Sequence, residues 1–204
     1  YQQWIDYILD VPMYFLHRGE DYIDVAGQSF RDYLASRLAG FEGMPPNMAD
    51  FEDQITTAVP EVRLKQFLEM RGADTGPWAN ICALPALWVG LLYDEESLVE
   101  AESLASHITP DDVVNARLSV ATNGLNGQLA GADVHKLATR LLEIATAGLR
   151  RRGICDDGGN DETGFLQPLK SIIESHKTPA EVMLELYHQD WNRDIDQVFT
   201  ANQY

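Results

Sequence analysis

The chain has 204 residues, 45% of them hydrophobic, and its 32 acidic and 15 basic side chains give a formal charge of −17. This length and composition suffice for a globular protein with one substantial core or two small ones. Nucleic-acid binding is excluded because it needs a basic surface. The richest apolar run, residues 81–93, is too short to span a bilayer, and we expect no membrane partner.

The cysteines indicate the cellular compartment, and the first residue indicates whether the chain is complete. Cys82 and Cys155 form neither a disulfide framework nor a zinc motif, which predicts a reduced, cytoplasmic compartment. The chain starts at Tyr1, directly in a helical pattern, so we expect that an upstream part is missing.

The start of the chain predicts short helices and antiparallel strands. The elements are helices over residues 1–10, 30–38 and 48–57 and a strand pair over residues 11–18 and 22–25. Pro12 ends the first helix, and Ser29 caps the second.

Residues 60–74 show the clearest alternation. One set comprises Arg63, Lys65, Phe67, Glu69 and Arg71, and the other comprises Val62, Leu64, Gln66, Leu68 and Met70. This period of two predicts a single strand with the second set in a core. At strand spacing, Glu69 would lie roughly 6.5 to 7 Å from Arg71 and about 20 Å from Arg63.

The remainder of the chain is predicted to be helical. Residues 78–93 are apolar on nearly all sides, which indicates a buried helix packed on the sheet. Further helices are predicted over residues 95–108, from the Thr109 cap onward, from the Asp133 cap to residue 152, and over residues 164–175 and 181–189. The fold class is therefore α+β, with a sheet-bearing portion over residues 1–93 and a helical portion over residues 94–204.

The charged side chains of residues 60–74 have two interpretations. They could form an ordinary solvated face. Alternatively, a carboxylate between guanidinium groups stays ionised and supplies the oxygen ligand that Mg²⁺ requires, and arginines can hold carboxylates and phosphates. These groups suit phosphoryl transfer, which depends on positioning and charge neutralisation.

Several segments carry a family resemblance, and they are DVPMYFLHR, FRDYLA, PEVRLKQFLEMRGAD, GPW, CALPALWVGLLYD, TPAE and the closing DQVF. Together they resemble the C-terminal half of the glutamate-cysteine ligases of plants and proteobacteria. The resemblance implies part of a glutamine synthetase-like catalytic fold and the ATP- and Mg²⁺-dependent joining of the γ-carboxylate of glutamate to the amine of cysteine. That reaction passes through a γ-glutamyl phosphate and is the first step of glutathione synthesis.

The resemblance also implies roles for individual residues. Glu69 matches the metal-binding glutamate, and Arg71 matches the arginine that contacts substrate glutamate and the transferred phosphate. Arg63 is similar to the arginine that steadies the nucleotide phosphates, and Lys65 on the same predicted face is a further candidate for nucleotide binding.

Two aromatic residues are candidate walls of the amino-acid pocket, Tyr14 in the M-Y-F motif and Trp78 in G-P-W. The family pattern G-A-D-G-G-P-W-R-R-L-C is not fully kept, because Thr75 replaces a glycine and Ala79 and Asn80 replace two arginines.

Three functions therefore remain open. They are part of a glutamate-cysteine ligase, a related ligase with another amine acceptor, and a non-catalytic binding or assembly module. The resemblance places the nucleotide pocket and the remaining metal carboxylates in the N-terminal half of the enzyme, upstream of Tyr1. We therefore expect residues 1–204 alone to be inactive.

Overall fold

The structure, a computed structural model, describes residues 1–203 and divides the chain into two compact units, residues 1–74 and residues 75–204. It combines helices with small antiparallel strand pairs, which confirms the α+β class. The long apolar helix packs within the second unit. The predicted division at residue 93 into a sheet-bearing portion and a helical portion stays a prediction.

The first unit contains three helices and two strand pairs, which are α1 (Gln2–Asp10), β1 (Phe15–Arg18), β2 (Asp21–Asp24), α2 (Phe30–Leu34), α3 (Met48–Thr57), β3 (Val62–Leu64) and β4 (Leu68–Met70). The pairing of β1 with β2 is antiparallel, as predicted, with Leu16 opposite Ile23. Helix α2 ends earlier than predicted, because Ser36 has a φ of 55° and this left-handed conformation cannot continue a helix.

The core of the first unit lies between α2 and the β1–β2 hairpin. Its members share nearly complete burial and are Met13, Leu16, Val25, Phe30, Tyr33 and Leu38. Phe51 of α3 packs against this cluster. The hairpin therefore has one face in a core, as its alternating pattern predicts.

A buried ion pair fastens β1 to α3. Asp50 is 2% exposed, and Arg18 donates to both of its carboxylate oxygens at 2.6 and 3.1 Å. The Tyr33 hydroxyl donates to the same carboxylate at 2.9 Å, and the backbone N–H of Asn47 completes the set. Burial alone raises the pKa of the Asp50 carboxyl, but these hydrogen bonds outweigh it, so the pKa lies below its usual value.

Residues 60–74 form a hairpin, so the prediction of a single strand was wrong. Strands β3 and β4 are antiparallel neighbours, and residues 65–67 make the turn between them. The prediction of a buried apolar face was also wrong, since Val62 is 44% exposed and Leu68 is 60% exposed. Arg63, from the charged set, is the buried residue at 8% exposed.

The second unit is mainly helical. Its helices are α4 (Trp78–Leu92), α5 (Glu95–Ala105), α6 (Pro110–Asn123), α7 (Val134–Arg152), α8 (Gln167–Ser175), α9 (Pro179–Gln189) and α10 (Gln197–Ala201), with 3-10 turns at Gly124–Asn126 and Glu162–Leu166. Strands β5 (Gln128–Leu129) and β6 (Ala132–Asp133) form a short antiparallel pair between α6 and α7. The predicted caps are confirmed, because Thr109 and Asp133 each accept a hydrogen bond from the third residue of their helix.

Helix α4 packs against α7, so its predicted packing on a sheet was wrong. The core of this unit consists of buried residues from these two helices and the 3-10 turn that follows, namely Ala86, Leu91, Ile144, Ala145, Leu149 and Leu166. The helices approach most closely at Gly90 and Gly148, where a side chain on either glycine would overlap the backbone of the other helix. Within the described residues, no helix is both long and apolar enough to cross a membrane.

Candidate functional site

The β3–β4 hairpin brings Arg63 and Glu69 together as direct cross-strand partners. The Nε and Nη2 atoms of Arg63 both lie against the same carboxylate oxygen of Glu69, Oε2, at 2.8 and 2.7 Å. The predicted separation of about 20 Å was therefore wrong, because that distance assumed one continuous strand. Opposite positions on antiparallel strands are close enough for direct side-chain contact.

Arg63 is also bonded on its other side. Its Nη1 atom donates to the carbonyl oxygens of Thr56, the penultimate residue of α3, at 2.9 Å and Ala58, just beyond the helix, at 3.2 Å. A helix C-terminus leaves carbonyl groups without intrahelical partners, so it is a favourable location for a guanidinium group. The end of α3 thus holds one side of Arg63, and Glu69 holds the other.

Arg71 places a second guanidinium group beside the Glu69 carboxylate. Its Nη1 atom lies 3.3 Å from Oε1 of Glu69, whereas Arg63 donates to Oε2. The side chains of Arg71 and Glu69 are 33% and 32% exposed, so both remain accessible from solvent. The backbone N–H of Arg71 donates to the Glu61 carbonyl oxygen at 2.7 Å, which fixes this strand end.

The surroundings of Glu69 keep its carboxyl ionised. The hydrogen bond from Arg63 lowers the pKa of this carboxyl, and partial burial opposes the effect. The positive charges of Arg63, Arg71 and Lys65 lower the pKa further. The group is therefore a carboxylate at neutral pH, and it presents a hard oxygen at the surface.

The other predicted site residues are exposed side chains. Lys65 is exposed at the hairpin turn, where its backbone N–H donates to the Phe67 carbonyl oxygen at 2.9 Å. Tyr14 precedes β1 and is 57% exposed. Trp78 belongs to the second unit, where it begins α4 and is 73% exposed.

A cleft of about 600 Å³ lies beside the hairpin turn, and sequence reasoning missed it. Trp4 of α1, Phe51 and Ile55 of α3 and Phe67 of the turn contribute apolar walls, and Lys65 lies on its lining. These residues come from three separate segments, and the turn itself was predicted to be strand, so spacing along the chain did not indicate that they share a wall.

The Glu69 carboxylate is chemically suited to be one ligand of a Mg²⁺ ion. An ionised carboxylate is a hard oxygen donor, and Mg²⁺ is commonly held by one or two carboxylates together with substrate phosphates and water. Across residues 1–203, no group of three or more His, Cys, Asp or Glu side chains could hold a metal. Within the described chain, the candidate is therefore one carboxylate and not a complete metal cage.

Comparison with known proteins assigns the family. Residues 1–201 match the family model of glutamate-cysteine ligase family 2. The chain therefore belongs to this family, and the resemblance inferred from its motifs is confirmed.

Plant enzymes are among its relatives. The chain is 45% identical over 199 residues to the chloroplastic glutamate-cysteine ligase of Nicotiana tabacum and to the chloroplastic glutamate-cysteine ligase B of Oryza sativa subsp. japonica. It is 43% identical to the chloroplastic glutamate-cysteine ligase of Arabidopsis thaliana. Each alignment covers 98% of this chain but 37% to 39% of the relative, so the chain spans little more than a third of their length.

The names of these relatives contradict the prediction of a cytoplasmic compartment, because all three are chloroplastic. Free cysteines indicate only a reducing environment. Targeting signals are separate features that a pattern of two cysteines does not encode.

Proposed function

We propose that this chain forms part of an ATP-dependent ligase that joins the γ-carboxylate of glutamate to the amine of cysteine. Family membership supports this assignment. The observation that carries it at the level of chemistry is the Glu69 carboxylate held between Arg63 and Arg71. This arrangement offers one hard oxygen ligand and an accessible cation at the same strand end.

Each residue has a separate task in the proposed reaction. Glu69 holds Mg²⁺, which when bound would neutralise charge on the phosphoryl group as it moves from ATP to the γ-carboxylate of glutamate. Arg71 binds the substrate carboxylate and the transferred group, because a guanidinium can bond two oxygens at once. Lys65 supplies a flexible positive charge to the nucleotide.

The second half of the reaction depends on orientation. The amine of cysteine attacks the resulting γ-glutamyl phosphate and displaces phosphate, so both substrates must be held close together. Tyr14 and Trp78 are exposed aromatic side chains that would wall the amino-acid pocket. Their contact with substrate stays a prediction.

The complete enzyme is proposed to be larger than this chain. The shares of the relatives that are covered support a further region, which would contribute the nucleotide pocket and the remaining metal ligands. We propose a glutamine synthetase-like catalytic fold for the whole, in which the two strand pairs of residues 1–74 join a larger sheet. Inactivity of residues 1–204 alone stays a prediction.

A second candidate differs only in the amine acceptor. Ala79 and Asn80, which stand where the family has two arginines, occupy the first turn of α4. Loss of two cations next to Trp78 would alter recognition of the carboxylate of an amino-acid acceptor. This supports a related ligase that uses an amine other than cysteine.

Replacement of Glu69 tests the proposal in the complete enzyme. Glu69→Ala should lower the rate of product formation by at least a hundredfold, because a metal ligand is lost. Glu20→Gln, at the exposed β1–β2 turn, is the control and should have the activity of the unchanged enzyme. Product is measured with cysteine and in parallel with other amino acids as acceptors. Full activity of Glu69→Ala would contradict the metal assignment, and preference for another amino acid would favour the second candidate.

A further inference from the structure

We infer that Arg63 is a positioning residue that orients Glu69 for the metal and does not bind the nucleotide phosphates. The inference rests on the proposed function, in which Glu69 is a metal ligand. It concerns a role that family membership alone does not assign to this arginine, and it depends on three features of the hairpin.

The first feature is how fully the guanidinium of Arg63 is bonded. Its Nε and Nη2 atoms converge on Oε2 of Glu69, and its Nη1 atom donates to two carbonyl oxygens at the end of α3. A guanidinium has five N–H groups; three of them donate hydrogen bonds here, and Nη2 lies 2.7 Å from Oε2 in the ion pair. Binding a phosphate in bidentate fashion would require Arg63 to break bonds that the fold already makes.

The second feature is burial. Arg63 is 8% exposed, whereas the Arg71 side chain is 33% exposed and Lys65 is exposed. A bulky triphosphate needs cations that it can reach from solvent. Arg71 and Lys65 meet that requirement, and the buried Arg63 does not.

The third feature is that the two carboxylate oxygens of Glu69 have contacts of different length. Arg63 holds Oε2 at 2.7 and 2.8 Å, and the contact of Arg71 with Oε1 is longer, at 3.3 Å. A ligand can replace this weak contact at Oε1 while Oε2 stays bonded. Fixing one oxygen orients the other and removes side-chain freedom that binding would otherwise have to restrict.

A metal-binding measurement without turnover tests this role. The complete ligase is titrated with Mn²⁺ in place of Mg²⁺, without nucleotide, and free Mn²⁺ is followed by electron paramagnetic resonance. The variant is Arg63→Lys, which keeps the positive charge but replaces the planar, forked guanidinium between Glu69 and the end of α3 with a compact ammonium group. Arg37→Lys is the control, because it makes the same change in an exposed pair with Asp32.

We expect Arg63→Lys to weaken Mn²⁺ binding by about tenfold or more, the range for residues that orient metal ligands. Arg37→Lys should leave the affinity within about twofold. In a Glu69→Gln background, Arg63→Lys should have no further effect, because the orienting residue then has no ligand to act on. Unchanged Mn²⁺ affinity of Arg63→Lys, together with weaker ATP binding, would overturn the inference and support phosphate contact.

Two observations keep the outcome interpretable. If Arg63→Lys fails to fold by circular dichroism, a crystal structure of the unchanged complete ligase with Mg²⁺ and a non-hydrolysable ATP analogue decides the question. Arg63 bonded to Glu69 and away from phosphate oxygens supports the inference, and a direct bond from Arg63 to phosphate overturns it. Absence of ligase activity in the unchanged enzyme would instead refute the proposed function.

Discussion

Arginine residues make two kinds of ion pair in the first unit, and burial separates them. Arg18 and Arg63 each bond a carboxylate while contacting backbone carbonyl groups, and Asp50 is almost completely buried. The pair of Arg37 with Asp32 is exposed, with side chains 65% and 45% accessible. Solvent screens an exposed pair, whereas a buried charge that loses its partner has no water to replace it.

This difference predicts the effect of removing each arginine. Arg18→Met should lower the free energy of unfolding of the first unit by about 3 to 5 kcal/mol, because Asp50 would remain buried and unpaired. Arg37→Met is the matched control and should change it by about 1 kcal/mol or less. Urea unfolding measures both. Equal effects of the two substitutions would show that burial of Asp50 does not determine the cost.

At the scale of elements, the contact between α4 and α7 organises the second unit. Gly90 and Gly148 let the two helix backbones approach closely, and Ser97 of α5 lies against the same point. The Ser97 hydroxyl donates to the Ile144 carbonyl oxygen at 3.0 Å, so α5 is joined to the crossing as well. An added methyl group at this crossing must move helix backbones and not merely a flexible side chain.

We therefore expect a small substitution at this helix crossing to have a large effect on the stability of the second unit. Gly148→Ala should destabilise the second unit by about 1 to 3 kcal/mol through overpacking. Gly164→Ala is the control, because a methyl group there would enter open space. Thermal unfolding measures the two variants in parallel. A stability of Gly148→Ala equal to that of Gly164→Ala would contradict the close approach of the helices.

At the scale of the whole molecule, the formal charge of −17 makes the response to acid informative. Asp94 caps α5 and bonds Arg151 of α7 at 2.6 Å. This bond, with the backbone N–H of Ser97, holds the pKa of the Asp94 carboxyl well below its usual range. A carboxyl with a lower pKa in the folded state stabilises the fold above its unfolded pKa, about 3.9, and loses this contribution as the pH falls further.

Substitution of Asp94 should therefore change the pH dependence of stability. Asp94→Asn should lower the melting temperature at pH 7, and the difference from the unchanged protein should shrink progressively below about pH 4. Arg151→Gln removes the other half of the pair and should show the same trend. A difference that stays constant from pH 7 to pH 2 would contradict the role of this pair.

Much of the local structure follows from neighbouring residues. Asp133 and the Thr109 and Thr178 caps mark helix starts because short polar side chains bond the first free N–H groups. Helix α3 has its predicted bounds, Met48–Thr57. The β1–β2 pair was predictable from two alternating segments around Gly19, which has a φ of 66° in the turn.

The sequence alone determined the α+β class, most helix bounds and, through its motifs, the ligase family. It also identified Glu69 and Arg71 as candidate site residues. Only the tertiary structure revealed the hairpin, because residues 65–67 turn without the glycine, proline or asparagine that usually indicates a turn. The hairpin placed Arg63 directly opposite Glu69 and against the end of α3. Such contacts depend on which strands pair and which helix end lies nearby, and local alternation contains no information about either.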